Sequence, residues 1–408
     1  MSAALSAAGR GGRGVVRVML CDDSATVRSA FARILGADPA LEVIGRVGDG
    51  QQALDAIGAL PEAERPHVLL LDLEMPVMDG MTALPLLLKL HPSLAVIVAS
   101  ALTQRGAEAT MAAMRAGAAD YVPKPTAAAG GMNDPVFRAD LLAKVKGWAR
   151  VRSARAALLP RPAAPQPVPR PSVVLAAAPS LPPPLPVPPQ PAAVRPVGAA
   201  PALRQVSGPR ARARLLAIGS STGGPQALAA FVRRLGPSLA VPAVVVQHMP
   251  AGFTAMLADH LSRLGGLQAA EAKDGEVLRA GRIYVAPGDR HLLVEAGPAG
   301  LVARLNSDAP ENFCRPAVDP MLRSVVKACE GRVLSVILTG MGADGMLGCK
   351  AVAAAGGTVL AQDEASSVVW GMPGAVAKAG LAEALLPPEQ LAEKVLAQLG
   401  AGAPGGMA

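Results

Sequence analysis

Two sets of residues in this 408-residue chain have the types and spacing to do chemistry. The first is a hydroxyl-rich turn, Gly219-Ser-Ser-Thr-Gly-Gly-Pro-Gln226, followed by His248 and then Asp344. A serine is a weak nucleophile at neutral pH; it needs a base, and the base needs a carboxylate to orient it. Amides at a turn that opens a helix can also hold an oxyanion. The turn lacks the Lys of a phosphate loop and the G-x-G-x-x-G spacing of a dinucleotide loop. Spacing alone does not choose between Ser220 and Ser221, and Thr222 has a helix-capping reading as well. The chain order is Ser, His, Asp. The α/β-hydrolase order is Ser, acid, His, and G-x-S-x-G is absent around Ser221, so the same chemistry would be mounted differently here.

The second set is Asp22-Asp23, Asp72, Ser100 and Lys124. Three carboxylates gathered in one cleft repel one another unless a cation joins them. Oxygen-only ligands suit Mg²⁺, which also accepts a phosphate oxygen. Lys124 has the charge to neutralise an added phosphoryl group.

The elements that must position these groups alternate. On the N-terminal side, strands are expected at residues 15–20, 42–47, 68–71, 95–98 and 120–122. Helical spacing falls between them, and a last helix at 135–152 follows. Five βα units specify an open parallel sheet with helices on both faces. The C-terminal side repeats the style, with strands at 215–219, 243–246, 333–338 and 358–361 and helices after them. Short alternating runs at 276–305 predict antiparallel hairpins inserted in a second doubly wound sheet. In such sheets, sites form beyond the carboxyl ends of the strands. Asp22-Asp23, Asp72 and Ser100 follow three strands of the first sheet; Ser221, His248 and Asp344 follow three of the second.

Composition divides the chain further. From 160 to 209 it is dominated by Pro, which has no amide donor and restricts its own φ and its predecessor. That predicts a disordered linker biased to polyproline II. The boundaries read as a disordered leader at 1–14, a first domain at 15–138, a terminal helix and Pro/Arg-rich linker at 139–213, a second domain at 214–400 and a disordered tail at 401–408. The net charge of +8 is localised: residues 150–214 hold ten Arg, no Lys and no acid, leaving 29 basic and 31 acidic residues elsewhere. With no aromatic residue in that segment, nucleic-acid binding is not expected. No apolar run reaches the ~18–20 residues of a membrane span, and the start lacks a secretory signal, so a cytoplasmic protein without membrane insertion is expected. Cys21, Cys314, Cys329 and Cys349 show no C-x-x-C spacing and read as reduced thiols. His67, His91, His260 and His291 read as core histidines, and Asp289, Asp319 and Asp363 as turn or cap residues.

With these residues in order, the first region resembles the receiver domain of two-component signalling over residues 15–138. The match is carried by the acid pair, Asp72-Leu-Glu-Met-Pro-Val-Met-Asp-Gly80, Ser100 and Lys124-Pro125. The resemblance implies that Asp72 accepts phosphate from a histidine kinase. It implies that Asp22, Asp23, Asp72 and the carbonyl of Glu74 hold Mg²⁺. Ser100 and Tyr121 would form the switch, with Lys124 contacting the phosphate. Residues 214–399 resemble the chemotaxis protein-glutamate methylesterase family through Gly219-Ser-Ser-Thr-Gly-Gly224, Gln247-His-Met-Pro-x-Gly-Phe253, Ala286-Pro-Gly288, Leu338-Thr-Gly-Met-Gly-Ala-Asp-Gly345, Gln362-Asp-Glu-Ala-Ser and Gly371-Met-Pro373.

That resemblance implies Ser221 as nucleophile, His248 as general base and acid, and Asp344 as orienting carboxylate. The amide of Met341, with turn amides such as that of Thr222, would hold the oxyanion, and no metal would be needed there. The substrate implied is a glutamyl methyl ester, or a glutamine, on methyl-accepting chemoreceptors. Phosphorylation of the first domain is expected to uncover the second. A transcription factor would need a helix-turn-helix and a basic folded face, and neither is seen after residue 214. A receptor-binding adaptor without catalysis would not need the three groups together.

Overall fold

A computed structural model of the chain describes residues 15–101, 103–125, 131–158, 201–206, 211–237 and 239–400. The first sheet holds β1 (Val16–Cys21), β2 (Leu41–Val47), β3 (Val68–Asp72), β4 (Ala95–Ala101) and β5 (Asp120–Lys124). They lie in the order β2-β1-β3-β4-β5, with every pair parallel. The helices between them are α1 (Ala25–Gly36), α2 (Gly50–Ala59), α3 (Gly80–Leu90), α4 (Gln104–Arg115) and α5 (Pro135–Leu158). The central strand β3 is buried at all five positions, as expected of an uninterrupted Val/Leu run between two helix layers. Short polar side chains start the helices: Asp49 accepts from the Gln52 amide and Asp79 from the Thr82 amide, satisfying donors that have no partner inside the helix.

The second sheet has seven strands in the order β14-β13-β12-β6-β7-β9-β8, again parallel throughout. They are β6 (Leu215–Ser220), β7 (Ala243–Gln247), β8 (Gln268–Glu271), β9 (Arg282–Val285), β12 (Val333–Ile337), β13 (Thr358–Gln362) and β14 (Ala384–Leu386). The helices are α6 (Gly224–Leu235), α7 (Phe253–Ser262), α8 (Val318–Ala328), α9 (Met346–Ala354), α10 (Met372–Lys378) and α11 (Pro388–Leu399). A separate antiparallel hairpin, β10 (His291–Gly297) with β11 (Gly300–Asn306), packs on α8. From β6 the chain builds outward through β7 to one edge, then returns to β12 on the other side of β6. The strand order therefore reverses between β6 and β12, where such sheets open a crevice.

Three expectations are adjusted. Residues 276–305 are not hairpins throughout: Arg282–Val285 is a parallel strand between β7 and β8, and only β10–β11 is a hairpin. Four residues alternate too briefly for period alone to separate a parallel strand from a hairpin arm. The first domain does not stop at 138, because Leu141, Val145 and Trp148 of α5 are buried in its core. Residues 201–206, assigned above to the linker, run beside the second sheet. The Arg204 amide donates to the Ala382 carbonyl (2.8 Å), and its guanidinium to the Gly357 and Ala353 carbonyls (2.9 Å each). The remainder of the Pro-rich segment from 160, the leader 1–14 and the tail 401–408 lie outside the described residues. No helix among the described residues is long and apolar enough to cross a membrane.

Candidate functional site

The Ser220-Ser221-Thr222 turn is assembled from four strand ends. Ser220 and Ser221 are separated by burial: the Ser220 hydroxyl is fully buried and donates to Gln247 Oε1 at 2.7 Å, while Ser221 lines a cleft of about 590 Å³. The Gln247 amide donates in turn to the Ser221 carbonyl (2.9 Å). The Thr339 carbonyl accepts from the Ser221 amide (3.0 Å), and its hydroxyl donates to the Thr222 carbonyl (2.9 Å). Gln362 accepts from the Thr339 amide (2.8 Å), closing a scaffold from β7 through β12 to β13. A side chain at Gly340 would lie 2.8 Å from Ser221 Cβ, so only glycine lets the two loops approach this closely. Among the described residues no acceptor meets the amides of Thr222 and Met341, and both residues line the Ser221 cleft. Amides placed so in a cleft are available to a ligand oxygen.

His248 follows β7, and its loop is backed by Gly288, where a Cβ would meet the Ala251 backbone. Nε2 of the imidazole lies 2.8 Å from Asp344 Oδ2. Asp344 is 2% exposed, and its three further hydrogen bonds are all favourable to a charge. Asn312 donates to Oδ1 (2.9 Å), and the first amides of α8, Val318 and Asp319, donate to Oδ2 (2.6 Å) and Oδ1 (3.1 Å). A carboxylate at a helix N-terminus is further favoured by the dipole. Burial by itself would raise Asp344, but His248 and these amides hold it below the ordinary carboxylate value. Burial likewise pushes His248 down; Asp344 and Cys314 overcome it and raise the imidazole well above its usual value.

Sequence reasoning missed several parts of this site. Cys314 was assigned only a thiol's packing role, yet its Sγ lies 3.4 Å from His248 Nδ1. Asn312, Gln247, Thr339 and Gln362 were also unassigned. Gln247, Thr339 and Gln362 stand inside the motifs quoted above, without a role that spacing assigns; Asn312 and Cys314 meet the site through a turn distant in sequence. Asp319 accepts from the Gly348 amide (2.6 Å), and Asp363 from the Ser366 amide (3.1 Å), both local supporting roles. His291 is buried and bonded to backbone at both nitrogens, through the Ala317 amide and the Ala309 carbonyl (3.2 Å each).

At the carboxyl edge of the first sheet, ligand oxygens of Asp22, Asp23 and Asp72 lie within 4.8 Å of one another. Lys124 Nζ bridges two of them, 2.6 Å from Asp72 Oδ2 and 2.8 Å from Asp22 Oδ2. Burial raises Asp72 despite the Lys124 contact, and the two acids keep Lys124 raised against its own burial. Asp22 Oδ2, buried, has the ion pair but no aligned hydrogen bond. Three clustered carboxylates against one ammonium leave an excess of negative charge, which fits a divalent cation. The Glu74 amide donates to Asp72 Oδ1 (3.4 Å), and its side chain is exposed. Ser100 is buried, its hydroxyl donating to the Gly106 carbonyl (3.0 Å) at the start of α4.

The two sites meet through one face. α4 packs on α7, and Tyr121 of β5 stacks on Phe253 at the start of α7, with centroids 5.3 Å apart and planes at 17°. Polar contacts run to the Ser221 turn itself. Asp140 accepts from the Thr222 hydroxyl (2.9 Å), Asp120 from the Gly223 amide (3.1 Å), and the Ala118 carbonyl from Gln226 (2.7 Å). Behind them, Lys144 donates to the Tyr121 carbonyl (2.8 Å) and pairs with Asp140 (2.9 Å). Trp148 donates to Asp120 (3.0 Å), and Arg150 to the Ser367 carbonyl (2.6 Å). The cleft is accordingly lined by Ser221, His248 and Met341 from one domain and by Asp120, Tyr121 and Lys144 from the other.

Comparison with known proteins agrees in both halves. A family model described as CheB methylesterase matches residues 216–395, and one described as response regulator receiver domain matches 18–132. A Paramagnetospirillum magneticum protein named protein-glutamate methylesterase/protein-glutamine glutaminase 1 is 49% identical over 387 residues, 93% of this chain and 95% of its own. An Azospirillum brasilense protein named protein-glutamate methylesterase/protein-glutamine glutaminase is 47% identical, covering 94% of this chain and 92% of its own. Among solved structures, the Thermotoga maritima CheB methylesterase catalytic domain is 41% identical and covers 46% of this chain and 99% of its own, with a TM-score of 0.45.

Proposed function

Because the chain belongs to the receiver-linked protein-glutamate methylesterase/protein-glutamine glutaminase family, we propose that it hydrolyses glutamyl γ-methyl esters, and deamidates glutamines, on methyl-accepting chemoreceptors in the cytoplasm, under control of receiver phosphorylation. Ser221 Oγ forms a bond to the ester carbonyl carbon as its proton passes to His248. Asp344 fixes the imidazole and stabilises its positive charge. The oxyanion is held by the amides of Met341 and Thr222. His248 returns the proton to the departing methoxide, and methanol leaves an acyl-serine. Water, deprotonated by His248, attacks that ester, and Ser221 regains its proton as glutamate is released. With a glutamine side chain the same steps release ammonia. No metal takes part at this site.

In the receiver, Asp72 is the phosphoacceptor for a histidine kinase, and Asp22, Asp23, Asp72 and the Glu74 carbonyl would hold Mg²⁺, whose charge offsets that of the transferring phosphoryl group. Lys124 would exchange its carboxylate partner for a phosphate oxygen. Ser100 and Tyr121 respond to that exchange, and Tyr121 carries it to the Phe253 stack. The resting receiver therefore blocks the esterase, and its departure frees both the cleft and the Gly223 amide. The functional units proposed are a receiver from 15 through α5 and an esterase from 201 to 400, including the Arg204 segment.

The observation that supports the reading is that Ser221 and His248 line one cleft and that His248 Nε2 lies 2.8 Å from Asp344 Oδ2. Labelling by a fluorophosphonate, with and without phosphodonor, tests it. Covalent labelling at Ser221 that increases on phosphorylation is expected. Labelling elsewhere, or none in either state, would leave the second domain a receptor-binding adaptor.

A further inference from the structure

One turn beside the cleft is built against its own sequence preference. Glu311 and Cys314 pair across it, amide to carbonyl in both directions at 3.1 and 2.9 Å. Between them, Asn312 and Phe313 have φ of 54° and 63°. Two-residue turns with both residues at positive φ favour Asn-Gly. Asn312 suits the first place. Phe313 does not suit the second, because a Cβ in the left-handed region crowds the following carbonyl. Its ring is also 93% exposed, so burial offsets none of the strain.

Such strain persists only where the surroundings over-determine it, and it concentrates at ligand clamps. Here the surroundings do so on both sides. Glu311 is gripped by both arms of Arg323 at 2.7 Å. Asn312 donates to Asp344 (2.9 Å) and Asp319 (3.1 Å), and Cys314 Sγ lies 3.4 Å from His248. The turn is thus fastened to the candidate triad while its one large side chain points to solvent at the lip of the Ser221 cleft. A γ-methyl glutamyl side chain offers the cleft little surface of its own, so binding energy must come from contacts remote from the reacting carbon. A rigidly presented aromatic ring is the side chain most suited to supply it.

We propose that Phe313 is the substrate-anchoring residue of the esterase, packing against the apolar side of the protein segment that bears the modified glutamyl group and so selecting which side chain enters the cleft. The proposal rests on the methylesterase reading above. Phe313 is exposed while the receiver is docked, so substrate capture precedes receiver release, and phosphorylation governs turnover rather than capture.

The test uses the full chain with phosphodonor and Mg²⁺, and compares Phe313→Ala and Phe313→Gly with the unaltered protein. Two substrates are needed: receptor membranes methylated in vitro, and a small soluble glutamate γ-methyl ester. Both variants are expected to raise KM for the membranes about fivefold or more, with kcat/KM for the small ester changing less than about twofold. Phe313→Gly, which removes the strain, is expected to keep or raise the thermal midpoint, by up to ~2–4 °C. Membrane kinetics within twofold of the unaltered protein would overturn the proposal. So would a parallel fall on both substrates, or a lowered midpoint in Phe313→Gly, since either makes the ring a support of the triad. Hydrolysis of neither substrate by the unaltered protein would sink the esterase reading first and this proposal with it.

Discussion

Asp72 closes β3 of the receiver, and Asp344 lies just beyond β12 of the second sheet; both sit at carboxyl edges of parallel sheets, and the two are held in opposite states. Asp72 is crowded by two other acids and raised by burial, with Lys124 as its cationic partner. Asp344 is more deeply buried yet lowered, because His248 and two α8 amides all donate to it. Burial sets the sign only when donors are too few. On the proposed function, the crowded carboxylate is the one that reacts and the saturated one is the fixed charge. One architecture thus holds two buried carboxylates in different states, distinguished by hydrogen-bond supply.

The contrast is most severely tested at the second site. Ser221→Ala is expected to lower methanol release from a methylated substrate by about 10³-fold or more; near-normal release would break the assignment. Asp344→Asn is expected to cost about 10³–10⁴-fold in kcat, and its pH profile sharpens the comparison. In the proposed mechanism the base works neutral, so rate should rise with pH through the His248 pKa. Asp344 holds that pKa up, so its removal should move the rising limb to lower pH. A limb that stays in place would mean that Asp344 does not set the imidazole's charge.

Smaller effects are expected where the two regions touch. Tyr121→Ala removes a stacked pair worth about 0.5–1.5 kcal/mol beyond its buried area. Basal hydrolysis should rise severalfold, with a correspondingly weaker response to phosphodonor. Unchanged basal activity would separate the stack from inhibition. Arg150→Ala, losing a peripheral contact to the Ser367 carbonyl, should raise basal activity by less than about twofold, as rim contacts usually do.

How far the sequence carried this picture follows from the same contrast. The Asp72 pocket is made of residues directly after strands, so its members were legible from the pattern of βα units. The same logic brought Ser221, His248 and Asp344 to one edge. It did not choose Ser221 over Ser220; the family resemblance favoured Ser221, and the bond of Ser220 to Gln247 is consistent with that. Cys314, Asn312 and Phe313 sit in a turn joined to the site by contacts across 32 and 66 residues, and no periodicity reports such contacts. Arg282–Val285 was misassigned because a short strand's partner depends on the crossover before it. The docking face was invisible for a similar reason. Asp120, Asp140 and Lys144 stand in no motif, and their partners, Gly223, Thr222 and the Tyr121 carbonyl, are brought to them only by the packing of the two sheets.

The central claim is that phosphorylation at Asp72 releases a hydrolytic site built on Ser221. The direct measurement is methanol release from methylated receptor membranes by the full chain and by Asp72→Ala, each with and without phosphodonor and Mg²⁺. Release that rises severalfold on phosphorylation in the unaltered protein, and stays at the basal level in Asp72→Ala, is the predicted result. Release that is absent in every condition, or that rises equally in Asp72→Ala, would contradict the account.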